Sequence, residues 1–135
     1  MERTLFNKDG DPIAYITDDY DETIYLWDGF PVAYLYEDQF VYGINGRHLG
    51  WFIDEILFDN NGKRIGFTTG SCPVAVAKEP IKSEKYPRDE IRPRWKASPY
   101  PKLMFDFADQ DLADFFKEGQ VVNFREKETS EELGD

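Results

Sequence analysis

A corner repeated four times constrains this chain more than any other feature. Asp9-Gly10, Asp28-Gly29, Asn45-Gly46 and Asn61-Gly62 each interrupt apolar segments, with the glycines 19, 17 and 16 residues apart. An Asx-Gly pair supplies the left-handed backbone of a two-residue type I′ turn, whose twist suits the strands it joins. Four consecutive β-hairpins over residues 1–69 are therefore expected, making the chain mainly β.

Two-residue loops set the register, because flanking residues must pair and alternate positions share a face. Four residues before each glycine stand Phe6, Tyr25, Tyr42 and Phe58. Three after it stand Ile13, Val32, Leu49 and Ile65, and five after it Tyr15, Tyr34, Trp51 and Phe67. This register puts all of them on one face, as an aromatic, aliphatic, aromatic cluster in each hairpin. On the other face Leu5, Ile24, Val41 and Leu57 meet Ala14, Ala33, Gly50 and Gly66, small residues that let backbones approach. Ribbons apolar on both faces must bury them against one another, so a ring of hairpins with pseudo-fourfold symmetry is the expected architecture. Closure also removes strand edges prone to aggregation. Pro12 and Pro31 fit, opposite Asn7 and Leu26 in pairs that need no proline N–H.

The repeated order of apolar, aromatic, three residues, Gly, two residues, aliphatic, Ala or Gly, aromatic resembles the bacterial four-fold beta flower domain. The resemblance covers residues 4–68 and implies a fold. It implies no activity, and residues 105–135 find no counterpart in it.

Charge divides the rest of the chain. Residues 1–68 hold 5 basic and 13 acidic side chains, 69–104 hold 8 and 4, and 105–135 hold 3 and 10. Pro73, Pro80, Pro87, Pro93, Pro99 and Pro101 forbid regular structure in the middle segment. Residues 70–101 are expected to form an extended basic connection, attracted to the acidic hairpins and loosened by salt. Residues 102–124 form a small unit: a strand over Lys102–Phe107, then a helix begun by Asp109 or Asp111 and ended by Gly119, with a further strand over Val121–Phe124. Leu112, Phe115 and Phe116 recur at helical spacing, and so short a helix must pack on the ring or on another chain. Residues 125–135 are charged and read as a disordered tail.

Twenty-seven acidic against 16 basic residues, a net charge of −11, argue against nucleic acid or an anionic membrane as partner and suit a basic one. Neither a membrane span nor a signal peptide is legible, so a cytoplasmic location is expected. Cys72 has no second cysteine for a disulfide or a multi-cysteine metal site. Asn7–Asp11 and Asp59–Gly62 lack the carboxylates of a calcium loop at its first and last positions. No glycine-rich phosphate cradle is present, and no cofactor or metal is expected.

Four residues stand out as candidate contacts. His48 is the only histidine and occupies a repeat position shared with Pro12, Pro31 and Arg64, which predicts an exposed hairpin shoulder with Arg64 within reach. Trp27 and Phe30 flank the second loop, where the other hairpins carry mostly polar residues, so this tip is expected either to bind a partner or to lie under the C-terminal helix. With no catalytic set legible, the leading expectation is a non-enzymatic binding or scaffolding module with a protein partner. Two alternatives are carbohydrate recognition of a cell-wall type, since aromatic Asx-Gly hairpins resemble choline-binding repeats, and a small hydrolase using His48.

Overall fold

The computed structural model describes residues 1–121. The hairpins build eight strands: β1 (Arg3–Phe6), β2 (Pro12–Ile16), β3 (Thr23–Leu26), β4 (Pro31–Tyr36), β5 (Phe40–Gly43), β6 (His48–Ile53), β7 (Ile56–Asp59) and β8 (Arg64–Phe67). Each pairs antiparallel with the next, and the Phe6–Phe67 pair brings β8 back to β1 to close a barrel. The expected ring of four hairpins is thus an eight-stranded antiparallel barrel with a pseudo-fourfold repeat. One end carries the Asx-Gly tips; the other carries the turns between hairpins.

The tips are longer than a two-residue type I′ turn. Asn7 N–H donates to Asp11 O and Gly10 N–H to Asn7 O, both at 3.0 Å, and only the glycine has positive φ, at 83°. The same pattern recurs at Gly29, Gly46 and Gly62, so each tip is a three-residue loop ending in a left-handed glycine. A β-bulge then restores the register: Leu5, Ile24, Val41 and Leu57 pair with Ala14, Ala33, Gly50 and Gly66 as expected, whereas Phe6, Tyr25, Tyr42 and Phe58 pair with Pro12, Pro31, His48 and Arg64. Pro12 and Pro31 therefore lie opposite Phe6 and Tyr25, not Asn7 and Leu26. The residues skipped are Ile13, Val32, Leu49 and Ile65. Their side chains pass to the other face, where Val32, Leu49 and Ile65 join Leu5, Ile24, Val41 and Leu57 inside the barrel and Ile13 packs against them. The aromatic rows are left on the outside, paired across the seams between hairpins as Tyr15–Tyr25, Tyr34–Tyr42, Trp51–Phe58 and Phe67–Phe6.

Type I′ geometry occurs instead at the opposite end. Asp54 and Glu55 join Ile53 to Ile56 with φ of 52° and 66°, and Glu37 and Asp38 follow Tyr36 with φ of 52° and 63°.

Beyond β8 the chain runs as an extended strap around the tips. Ala77 donates its amide to Gly10 O at 2.8 Å, Tyr86 to Gly29 O at 3.0 Å, Trp95 to Gly46 O at 2.8 Å and Met104 to Gly62 O at 2.9 Å. The donors are nine residues apart, a span of roughly 28 Å at about 3.1 Å per extended residue. At each tip a strap carbonyl, from Ala75, Glu84, Pro93 or Lys102, occupies the space that a Cβ on the glycine would need. The four glycines thus serve the turn and the strap together. Main-chain bonds as well as charge hold the strap; Glu2 also bonds Lys82 and Lys85 at 2.9 Å each, and Arg88 bonds Asp21 at 3.0 Å.

No strand forms over Lys102–Phe107; Phe107 makes a single parallel bridge to Arg64. The strap then turns inward as α1 (Leu112–Lys117), where Leu112, Phe115 and Phe116 enter the barrel core from the tip end. Burying each of these side chains contributes about 1.5–3 kcal/mol. Asp111 takes the N-cap position without a side-chain bond. Gly119 follows the helix in such close apposition to Gly43 that a Cβ on either would meet the other's Cα. Among the described residues, no helix is long and apolar enough to cross a membrane. Val121 has no regular structure, and the rest of the expected Val121–Phe124 strand and the tail over 125–135 lie outside the described residues.

Candidate functional site

The four singled-out residues are not gathered into one site. They grip the strap at three tips, Trp27 and Phe30 together at the second, His48 at the third and Arg64 at the fourth. Trp27 Nε1 donates to Pro80 O at 3.3 Å, and its own carbonyl accepts the amide of Ser83 at 3.1 Å. The indole stands edge-on to Tyr15, 5.7 Å between centroids, with the Lys82 ammonium 5.4 Å above it. Phe30 stacks on Tyr86 of the strap. The cover over this tip is therefore the strap and not the C-terminal helix. Phe30 keeps 37% and Tyr86 51% of its surface exposed.

His48 is buried, with 6% of its surface accessible, rather than on an exposed shoulder. The bulge sets it beside Tyr42 and Trp51, with ring centroids 5.1 and 4.9 Å away, and the strap closes over them. Its Nδ1 accepts the amide N–H of Ser98 at 3.2 Å, while Nε2 has no hydrogen-bond partner. Burial holds the imidazole below its ordinary value of 6.5, outweighing the opposing Gly50 carbonyl. Arg64 does not pair with it. The guanidinium Nε of Arg64 donates to Met104 O at 3.0 Å and lies over Phe105 at 4.4 Å, while its main chain is clamped by Asp106 and Ala108.

The other strap cations cover the outer aromatic seams. Lys82 and Lys85 lie over Tyr15 at 4.5 and 5.5 Å, and Arg94 lies over Tyr36 at 3.7 Å. Burial raises the pKa of Tyr15 and Tyr42, keeping both phenols neutral. Cys72 is half-buried, its Sγ 3.6 Å from the Asn7 carbonyl.

At the end opposite the tips the strap leaves the turns Glu37-Asp38 and Asp54-Glu55 exposed. Among the described residues, all five non-glycine residues with positive φ lie there, and all are acidic: Glu22, Glu37, Asp38, Asp54 and Glu55. Left-handed backbone costs most L-residues about 1–2 kcal/mol, a cost that Gly avoids and that Asn and Asp partly escape, so it falls chiefly on Glu22, Glu37 and Glu55. Arg3 is the cation among them, 3.4 Å from Glu22 and 3.7 Å from Glu55, with its guanidinium over Phe52 at 5.4 Å. Burial and the adjacent Asp38 carboxyl raise the pKa of Glu22 above its ordinary 4.5. A groove of about 710 Å³ opens beside this face, lined by Asp21, Glu22, Glu37 and Asp38 on one side and by Arg88 and Arg94 of the strap on the other. Among the described residues, no cluster of three or more metal-ligating side chains is close enough to hold an ion.

The sequence marks Asp18, Asp19, Asp21 and Glu22 as an acidic connector between the first two hairpins, but sequence reasoning missed Glu37, Asp38, Asp54 and Glu55 beside it. The available signal was the placement of Glu37-Asp38 and Asp54-Glu55, acid pairs without glycine, at the tight turns between hairpins.

No curated protein and no solved structure matches this chain. A family model does, over residues 3–116, which takes in the strap and α1 along with the barrel. The chain belongs to the family of the 4-fold beta flower protein.

Proposed function

We propose that this chain is a non-enzymatic protein-binding scaffold whose acidic end, opposite the tips, receives a basic segment of a partner. One observation carries this reading: among the described residues, every left-handed non-glycine residue is a carboxylate on that face. Gly or Asn at Glu22, Glu37 and Glu55 would give turns of lower energy on the same backbone, so these glutamates stand there at a cost in stability. The aromatic tip residues, the other candidates for contact, already grip the strap. A lysine- or arginine-rich segment laid across Glu22, Asp38 and Asp54 would relieve their mutual repulsion, and its binding would weaken with salt.

An array of short lysine- and arginine-rich, neutral and acidic peptides tests this. Basic peptides are expected to bind, and the combined variant Glu37→Gln, Asp38→Asn, Asp54→Asn, Glu55→Gln is expected to lose them while remaining folded. Asp9→Asn with Asp28→Asn, at the tips, should leave binding intact. Binding that survives neutralisation of the acidic end, or an array on which basic peptides fare no better than neutral ones, contradicts the proposal.

A further inference from the structure

We infer that His48 is an acid-sensitive clasp: neutral, it holds the strap against the β5–β6 hairpin, and protonated, it releases the strap segment 96–101.

The geometry specifies one protonation state. An amide N–H can only donate, so the Ser98 bond requires a lone pair on Nδ1 and places the ring proton on Nε2. A second proton on Nδ1 would face the Ser98 donor directly. It would also put a positive charge on a ring that is 6% exposed and whose Nε2 has no acceptor. The groups around the ring offer little compensation. From β5 come Phe40 and Tyr42, the latter a neutral phenol donating to Trp95 O at 3.0 Å. From β6 comes Trp51, whose indole nitrogen is itself without a partner, and the Gly50 carbonyl. Arg47, just before β6, adds positive charge and is paired with Glu118 at 3.4 Å. From the fourth tip comes the uncharged Asn60, whose amide bonds the His48 carbonyl at 3.2 Å. The strap contributes Ser98, the cations Arg94 and Lys96 nearby in sequence, and Tyr100, edge-on to Trp51 at 4.9 Å. No carboxylate bonds His48 among the described residues.

The strap is anchored on either side of this point, by Trp95 at Gly46 and by Met104 at Gly62. Loss of the Ser98 bond therefore frees a short arc and lifts Tyr100 from Trp51 without detaching the whole strap.

The ring binds its proton more weakly when clasped than when released. Opening of the arc therefore becomes more favourable as pH falls below 6.5 and levels off once the clasped ring is itself protonated. The increase is about tenfold for each pH unit separating the two affinities.

Amide hydrogen exchange of the full chain at about pH 7.5 and about pH 5, corrected for intrinsic rates, tests this linkage. Ser98 should lose protection on acidification while residues 82–86 of the same strap keep theirs. His48→Asn, which offers a non-titrating acceptor to the Ser98 amide, should remove the acid effect. As a measure that needs no variant, the single histidine can be titrated by NMR, with a midpoint expected below 6.5 that coincides with Ser98 exposure. A midpoint at or above 6.5, unchanged Ser98 protection through the titration, equal loss over 82–86, or the same acid loss in a folded His48→Asn variant overturns the inference.

Discussion

The ring of Tyr86 lies flat on that of Phe30, 4.4 Å between centroids and 8° between planes. The same strap residue donates its amide to Gly29, so side chain and main chain fasten the second tip together. Replacing Trp27 and Phe30 with serine should therefore loosen the strap. A loss of about 2–4 kcal/mol in urea unfolding is expected, with faster amide exchange over residues 80–86. An unchanged unfolding midpoint would show that the tip does not need the strap.

Gly62→Ala should cost about 2–4 kcal/mol, because alanine meets both a left-handed backbone and the Lys102 carbonyl. Gly70→Ala, with no atom within 4 Å of the added methyl, should stay within about 0.5 kcal/mol of wild type. Chemical denaturation of the two variants side by side checks the contrast.

The hairpins, their number and the pairs nearest the acidic end are legible in the spacing of the glycines. The Asx-Gly pairs predict two-residue loops, but the third loop residue is cancelled by the bulge at Ile13, Val32, Leu49 and Ile65, leaving Leu5–Ala14 and its equivalents in the expected register. A local pattern cannot separate these solutions, because both give an apolar residue at the skipped position. The helix was legible from Leu112, Phe115, Phe116 and Gly119. The strap's path was not, since its nine-residue period lies in amide positions filled by residues as unlike as Ala77, Tyr86, Trp95 and Met104. Main-chain bonding leaves no side-chain signature. His48 was misplaced for a related reason: proline at its repeat equivalents suggested exposure, whereas the bulge turns that position under the strap.

Asp54→Asn with Glu55→Gly installs the residue pair that a type I′ turn favours. The variant should gain about 1–2 kcal/mol in stability and bind basic peptides more weakly. Thermal unfolding and peptide titration together check it, and a gain in stability with undiminished binding would separate the turn from the binding surface.

Glu22 carries a pH signature. Its folded pKa lies above the ordinary 4.5, raised by burial and by Asp38, so the native state favours the protonated carboxyl. Its favourable contribution is complete below 4.5 and is lost as pH rises through the raised value. Glu22→Gln should therefore be more stable than wild type near neutral pH, with a flatter stability profile above 4.5, as read from unfolding midpoints across that range. Equal slopes for the two proteins would remove Glu22 as the source.

The account rests on a strap laced to four glycines, which accounts for Trp27, Phe30, His48 and Arg64 and leaves the turns Glu37-Asp38 and Asp54-Glu55 exposed. Residue-resolved amide exchange along residues 70–104 tests it most directly. Slow exchange is expected at Ala77, Tyr86, Trp95 and Met104, nine residues apart within a segment lacking regular structure, and at Ser83, Arg92 and, at neutral pH, Ser98, whose amides are also bonded to the barrel. Fast exchange at the four tip-bonded amides, Ala77, Tyr86, Trp95 and Met104, would contradict it.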